Sequence, residues 1–266
     1  MNKIKIVGDN IEKINIGKSI NIECFEAKTL FSINEIKIVV NKSTSLEIDT
    51  TLTTNNKINF NIILNDGVNL NLDILTKGDS GKVQYKYILN KDSYCNVFKF
   101  QNVKSIKEMI SVKLTGENAR IDYNFKTIST DKETYDYYIF HDNISTISNI
   151  KNNGVCLNDG LIIYQVSSFV PKDNIKCIVN QNNRIINLTN NKSEIKPNLY
   201  IDCNDVEASH SALIGKFSDE ELFYIMSRGI NYQDTLKLLI NGFLTSDITN
   251  KKIINNIQKN IDKYWR

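Results

Sequence analysis

The stretch "INFNIILNDGVNLNLDI", residues 58–74, alternates apolar and polar side chains on both sides of a turn at Asn65-Asp66-Gly67. Its apolar positions are Ile58, Phe60 and Ile62 before the turn, and Val68, Leu70, Leu72 and Ile74 after it. Because successive side chains of a strand point to opposite faces, this two-residue period predicts two half-buried strands. The turn predicts a hairpin or a corner between the two strands.

The same alternation dominates the chain from residue 1 to about residue 215. Segments such as "ARIDYNFKTIS" and "GLIIYQVSSF" are separated by Asn, Asp, Gly and Ser, which favour turns. The one helical feature we expect here is a single turn near residues 102–108. Because no repeat of fixed length is visible, the pattern leaves a sandwich, a barrel and a β-helix open.

A capping box at Ser218-Asp219-Glu220-Glu221 marks a change from strands to helices. An apolar stripe at helical spacing follows it, a second helix is predicted from about Asn231, and a third from about Ser246 to the end. The sequence therefore predicts a mainly β core over residues 1–216 and a small α-helical domain over residues 217–266.

Composition and charge narrow the classes of function. The chain has 266 residues, 41% of them hydrophobic, and a net charge of +3 that is spread evenly. A nucleic-acid binder normally carries a concentrated basic stripe, so we expect no nucleic-acid partner. The N-terminus carries no apolar run of signal-peptide length, and no run of about twenty apolar residues could span a membrane. We therefore expect a cytoplasmic protein with no membrane partner.

The cysteines and histidines form no obvious chemical motif. The five cysteines are scattered, without a C-x-x-C pair, and are expected to be free thiols: Cys24, Cys95, Cys156, Cys177 and Cys203. No Walker A and no G-x-G-x-x-G motif occurs, so nucleotide binding by this chain is not expected. The two histidines, His141 and His210, are too few for a His-rich zinc site. A lone histidine is more often a hydrogen-bonded structural residue than a ligand. Only the sequence around His210 makes it a candidate ligand.

Those surroundings are "KPNLYIDCNDVEASHSALIGKFSDEELFYIMSRGINYQDTLKLLINGFL", residues 196–244. This stretch resembles the C-terminal signature of the SufB/SufD family, the scaffold proteins of the SUF system for iron–sulfur cluster assembly. The matching positions are Pro197, Leu199, Ile201, Asp205, Val206, Ser209, His210, Ala212, Gly215, Leu222, Phe223, Tyr224, Ser227, Arg228, Gly229, Ile230, Gly242 and Phe243. The resemblance covers nearly fifty residues and keeps the helix cap in register.

The resemblance implies a right-handed parallel β-helix core followed by a small C-terminal helical domain. It also implies a non-enzymatic scaffold that binds a SufC-type ATPase through the C-terminal helices and pairs with a SufB-like subunit or with itself. The residues that would contact the ATPase are Leu222, Phe223, Tyr224, Arg228, Gly229 and Phe243. An ATPase on another chain would explain why this chain has no phosphate-binding loop.

Two departures place the chain nearer to SufD than to SufB. The segment 181–188 contains no cysteine, and Ser211 rather than Glu follows His210. The resemblance then implies that His210 is a ligand of a transient iron–sulfur cluster at the subunit interface, with no tightly bound cofactor. Ser209 belongs to the same signature, and Cys203 is a second candidate contact, although a buried structural thiol is the commoner role for such a cysteine. The chain is shorter than typical members, and we expect it to lack their N-terminal helical region. A minimal SufB-like member that pairs with itself therefore stays open beside the SufD-like one.

A carbohydrate-active or surface β-helix enzyme is the alternative, because that class also uses long β-rich chains. Such an enzyme needs a cleft with two carboxylates about 5–9 Å apart, and usually a secretion signal. Neither feature is visible in the sequence.

Overall fold

The computed structural model describes residues 2–26, 33–248 and 250–264. It is mainly β, a solenoid of about seven turns followed by three helices. This confirms the β-helix core and the helical C-terminal segment that the resemblance implied.

The strands follow the alternating segments of the sequence. They are β1 (Asn2–Val7), β2 (Asn10–Ile14), β3 (Ile20–Glu26), β4 (Ile33–Val40), β5 (Thr44–Leu52), β6 (Asn56–Leu64), β7 (Asn69–Leu89), β8 (Tyr94–Leu114), β9 (Arg120–Ser129), β10 (Lys132–His141), β11 (Ile147–Cys156), β12 (Leu161–Val170), β13 (Cys177–Asn187), β14 (Glu194–Ile201) and β15 (Val206–Gly215). The helices are α1 (Asp219–Met226), α2 (Tyr232–Thr245) and α3 (Lys251–Tyr264).

The strands stack into two long sheets that face each other. The first, which we call the helix-covered sheet, runs in the order β2, β1, β5, the first half of β7, the first half of β8, β9, β11, β13 and β15. The second sheet contains β3, β4, β6, the second halves of β7 and β8, β10, β12 and β14. Among the described strands, only the pairs β1–β2 and β3–β4 are antiparallel, and both lie at the N-terminal end.

The Asn65-Asp66-Gly67 turn is a corner between the two sheets, not a hairpin, because β6 lies in the second sheet and residues 70–78 of β7 pair with β5 in the helix-covered sheet. Gly67 has φ of +66°, a conformation that favours glycine. The expected turn of helix near residues 102–108 is wrong: β8 passes through that segment as a continuous strand, in register with β7. Its Asn102 and Ser105 pair with Lys77 and Ser80, so the neighbouring turn imposes the extended conformation.

A repeat does exist, but its length varies. Residues that stack directly on one another in one interior column are 25 to 31 positions apart. This column consists of Leu46, Leu72, Val97, Tyr123, Ile150, Gln181 and His210. The variation lies in the corner loops. Periodicity at a fixed spacing therefore could not have revealed the solenoid.

The interior between the two sheets is apolar and aromatic, with one buried ionic cluster. Phe60 and Tyr85 stack in parallel with ring centroids 4.7 Å apart. Next to them, the fully buried Lys99 pairs with the fully buried Glu108, and its ammonium group lies 4.5 Å from the centre of the Tyr85 ring. Burial raises the pKa of Glu108 and lowers that of Lys99, since a low-dielectric interior disfavours both charges.

In the described part of the chain, the helices cap the helix-covered sheet and not the second sheet. Helix α2 buries Leu236, Ile240 and Leu244, and helix α3 buries Ile253, Ile257 and Ile261. These side chains share one apolar cluster with Phe100, Ile128, Val155, Leu157 and Ile186 on the outer face of the sheet. The β core and the last two helices therefore pack as a continuous body.

A buried charge also ties the helices to the sheet. Lys126 is fully buried beneath the segment that joins α2 to α3, and Asp247 accepts hydrogen bonds from Lys126 at 3.0 Å and from Lys151 at 2.6 Å. Burial lowers the pKa of Lys126 to about 8, while the two ammonium groups lower the pKa of Asp247 to about 2 against the opposing effect of its own burial.

The buried Glu133 should make stability depend on pH. Its carboxyl group accepts hydrogen bonds from Thr127 Oγ1 and Tyr135 OH, each at 2.8 Å, yet burial raises its pKa to about 8. The folded protein therefore holds a proton that the unfolded chain releases above about pH 4.5. The free energy of unfolding should fall by roughly 1 kcal/mol per pH unit between about pH 5 and pH 8 from this residue.

The variant Glu133→Gln should lack that slope, as urea titrations across this pH range would show. Parallel pH profiles for the variant and the unmodified chain would contradict the assignment.

Candidate functional site at the open end of the solenoid

The last turn of the solenoid, β14 and β15, has a free edge. Within the described part of the chain, β15 pairs only with β13, and β14 pairs only with β12. Every residue from 207 to 214 is exposed. Unpaired backbone N–H and C=O groups on such an edge are ready to pair with another strand. We call this surface, β14 and β15, the open edge.

His210 lies on the open edge at a position that is interior in every earlier turn. Its backbone stacks on Gln181, which is buried and donates hydrogen bonds to Ser168 Oγ at 2.8 Å and to the Asn198 carbonyl at 3.3 Å. No further turn covers His210, so its side chain is exposed. Its imidazole makes no hydrogen bond with any residue that the structure describes. It is therefore available as a ligand from outside the chain.

The other histidine has the opposite environment. His141 is fully buried, with Nδ1 2.8 Å from Thr146 Oγ1 and Nε2 2.8 Å from Ser148 Oγ. Burial lowers its pKa to about 4, so the ring is neutral at pH 7. His141 is therefore a hydrogen-bonded core residue, whereas His210 is exposed on the surface.

Ser209 and Cys203 do not share the face of His210. Neighbouring residues of a strand point in opposite directions, and Ser209 donates a 2.7 Å hydrogen bond to Asn180 Oδ1 on the outer face. That bond extends a ladder in which Asn180 bonds Asn149 at 2.9 Å and Asn149 bonds Asp122 at 2.6 Å.

Cys203 precedes β15 and packs in a separate apolar cluster with Val170, Cys177 and Val179. Val206 belongs to the same cluster, and His210 lies about 13 Å further along β15 than Val206. The structure therefore does not bring the three predicted cofactor contacts together. Of the three, His210 alone lies in the interior column, at its exposed end.

The cysteines of the described side chains are free thiols, as predicted, and most of them are buried: Cys95, Cys156 and Cys177, with Cys203 half-buried. Burial raises the pKa of Cys95, and it raises that of Cys156 to about 11, so neither forms a thiolate at neutral pH. The side chain of Cys24 lies outside the described residues. Over the same part of the chain, no three His, Cys, Asp or Glu side chains are grouped to hold a metal ion.

Helix α1 begins with the predicted capping box. Glu221 N donates to Ser218 Oγ at 3.1 Å, and Ser218 N donates to the Glu221 carboxylate at 2.8 Å. Unlike α2 and α3, this helix buries none of its residues. Phe223 is 74% exposed and Tyr224 is 61% exposed, which is unusual for aromatic side chains on a helix.

Five of the six predicted partner contacts therefore fall into two groups. Phe223, Tyr224 and Arg228 are exposed, and the Arg228 guanidinium lies 4.5 Å from the centre of the Tyr224 ring. Leu222 and Phe243 are half-buried against the helix-covered sheet. Gly229 ends α1 with φ of +85°.

An aromatic column on the second sheet was not anticipated from the sequence. Phe140, Phe169 and Tyr200 stack in parallel on the outer face, with ring centroids 4.9 and 4.8 Å apart. Tyr200 ends the column on the open edge and is half exposed. The three rings occupy matching positions in successive turns, a relation that becomes visible only once the register is known.

The alternative of a carbohydrate-active enzyme needs two accessible carboxylates. The buried glutamates Glu108 and Glu133, whose pKa values are raised, lie inside the solenoid without exposure to solvent. A polysaccharide could not reach them.

Comparison with known proteins agrees with this architecture. The family model described as "SUF system FeS cluster assembly, SufBD core domain" matches residues 24–243. The chain belongs to the SufBD core-domain family. It is 28% identical over 141 residues to the iron-sulfur cluster assembly protein SufD of Escherichia coli K12. The matched segment is 52% of this chain and 33% of that protein.

SufD of Bacillus subtilis is 28% identical over 130 residues, which are 48% of this chain and 30% of that protein. A SufBD family protein of Mycobacterium leprae is 43% identical over 63 residues, 23% of this chain and 16% of that protein. The matched segments thus span a third or less of these relatives. The matching family model and these relatives are named for iron–sulfur cluster assembly. No helix in the described ranges is long and apolar enough to cross a bilayer.

The two histidines provide a matched pair of substitutions. His210→Ala should change the free energy of unfolding by less than about 0.5 kcal/mol, because the exposed ring makes no contact that folding depends on. His141→Ala should destabilise by about 2–4 kcal/mol, because it leaves a cavity and two hydroxyls without their partner. Urea unfolding of both variants would measure the difference. A large loss of stability in His210→Ala would assign that residue a structural role.

Proposed function

We propose that this chain is a SufD-like, non-catalytic scaffold subunit of the SUF system. In this proposal the open edge pairs with a SufB-like subunit or a second copy of the chain, and α1 binds a SufC-type ATPase. The observation that carries the proposal is the exposed position of His210 on a strand with a free edge. All earlier members of its column are covered by a following turn.

Pairing through the open edge is supported by what lies uncovered there. Leu213 and Ile214 of β15 and Tyr200 of β14 are exposed apolar side chains beside unpaired backbone groups. A second subunit that continues the sheet would satisfy these groups and remove the apolar surface from water. The same addition would place its side chains next to His210.

His210 would then supply one ligand to a transient iron–sulfur cluster. Imidazole is a neutral nitrogen ligand, and His can replace Cys on iron in such clusters. This chain offers one free imidazole at the open edge, so the remaining ligands would come from the partner. The cluster is cargo in this scheme and would leave after assembly.

The ATPase would dock on the exposed face of α1. Because α2 and α3 are already used to cover the helix-covered sheet, Phe223 and Tyr224 of α1 remain as apolar contacts for another protein. Exposed aromatic side chains of this kind are frequent hot spots of protein interfaces.

Co-expression with the SufC-type ATPase from the same organism tests this contact. Phe223→Ser/Tyr224→Ser should weaken the complex by at least about 2 kcal/mol, roughly thirtyfold in Kd, because it removes both aromatic contacts. Tyr200→Ser is the control, since it removes an exposed aromatic ring from the open edge instead. Loss of the ATPase in both variants, or in neither, would argue against docking on α1.

Anaerobic reconstitution of the assembled complex tests the ligand. Native mass measurement should detect a bound cluster, and His210→Ala should reduce its occupancy while the subunits remain associated. Ser211→Ala is the matched control, because it changes the next residue of the same strand on the opposite face. Equal occupancy in all three proteins would exclude His210 as a ligand.

A further inference from the structure

A groove on the second sheet extends from β6 to β12, the strand that pairs with β14. It has a volume of about 890 Å³ and crosses the start of β6, the middle of β7 and β8, and the start of β10 and β12. Its lining consists of Asn55, Asn56, Lys57, Ser80, Gly81, Lys82, Ser105, Ile106, Lys107, Lys132, Thr134 and Ile163. Four of these residues are lysines, and none is an acid.

The lysines are aligned by the stacking of the turns. Lys57 pairs in register with Lys82, and Lys82 with Lys107, so they occupy one column with a spacing of about 4.8 Å between strands. Lys132 lies at the start of the next strand, where its carbonyl accepts a 2.9 Å hydrogen bond from Ser105 Oγ.

This column places like charges directly opposite one another, which is unfavourable in a sheet. Elsewhere on the same corner the charge is balanced, since Lys104 pairs with Asp79 at 2.7 Å. Lys82, Lys107 and Lys132 make no ion pair with any carboxylate that the structure describes. An anion in the groove would offset their repulsion.

The size and lining of the groove favour a small anion over a macromolecule. A concave site of this volume is typical for small ligands, whereas an acidic chain needs a longer track. Lysine binds phosphate as a point charge, and the hydroxyl and amide groups of Ser80, Ser105, Thr134 and Asn55 add hydrogen-bonding groups. A row of cations suits several linked phosphates better than a single one.

We propose that this groove binds a ligand with a chain of two or more phosphates, either an inorganic oligophosphate or the phosphate chain of a nucleotide. Binding depends on side chains alone, which is compatible with the absence of a glycine-rich phosphate loop from the sequence. The groove shares no lining residue with the open edge or with α1, so this ligand goes beyond the scaffold role.

Calorimetric titration of the full chain tests the proposal with inorganic tripolyphosphate, ATP, AMP and monophosphate as probes. Tripolyphosphate should bind at least about tenfold more tightly than monophosphate, and Lys82→Gln/Lys107→Gln should weaken it at least about tenfold. The control is Lys172→Gln/Lys192→Gln, which removes the same charge from exposed loops and should leave the affinity unchanged.

ATP that binds more tightly than tripolyphosphate would identify a nucleotide as the ligand, and equal or weaker binding would identify the phosphate chain itself. Three results would overturn the proposal. The first is no preference for tripolyphosphate over monophosphate, and the second is an equal loss of affinity in the control variant. The third is displacement of tripolyphosphate by duplex DNA at a DNA phosphate concentration below that of the tripolyphosphate. The last result would assign the groove to a macromolecule.

Discussion

The structure depends on the registered stacking of one turn on the next. Each interior side chain is covered because the following turn places another side chain over it, as Tyr123 lies between Val97 and Ile150. The same constraint aligns polar residues on the outer faces, where Ser209, Asn180 and Asn149 form a hydrogen-bonded ladder. Stacking also has a consequence at the end of the solenoid: no described strand covers the final turn.

That uncovered turn links the fold to the proposed role. In the interior, a polar group must be satisfied within the chain, as His141 is by Thr146 and Ser148. At the open edge, His210 holds a position in the same kind of column without any such partner. A ligand or a second subunit can therefore use it without disturbing the core. The helices complete the arrangement, since α2 and α3 cover one sheet and leave α1 exposed.

Lysine side chains have different partners in three parts of this protein: the interior of the solenoid, the layer beneath the helices and the outer corner. Inside the solenoid, Lys99 and Glu108 neutralise each other. Beneath the helices, Lys126 is held by Asp247, which also joins the α2–α3 connection to the sheet. On the outer corner, Lys82 and Lys107 are stacked with no acidic partner within the described chain. The first two arrangements pair each lysine with a carboxylate, and the third does not, which is why it points to a ligand.

The sequence by itself determined the strands, the capping box and the family signature, because these depend on neighbouring residues and short periods. It could not determine which side chains meet. Adjacent in sequence, Ser209 and His210 face opposite ways, and Cys203 belongs to another cluster. The helical turn expected near residues 102–108 became a strand because the neighbouring turn paired with it. Only the tertiary structure set the register between turns 25 to 31 residues apart, and with it the exposure of His210 and the alignment of the lysines.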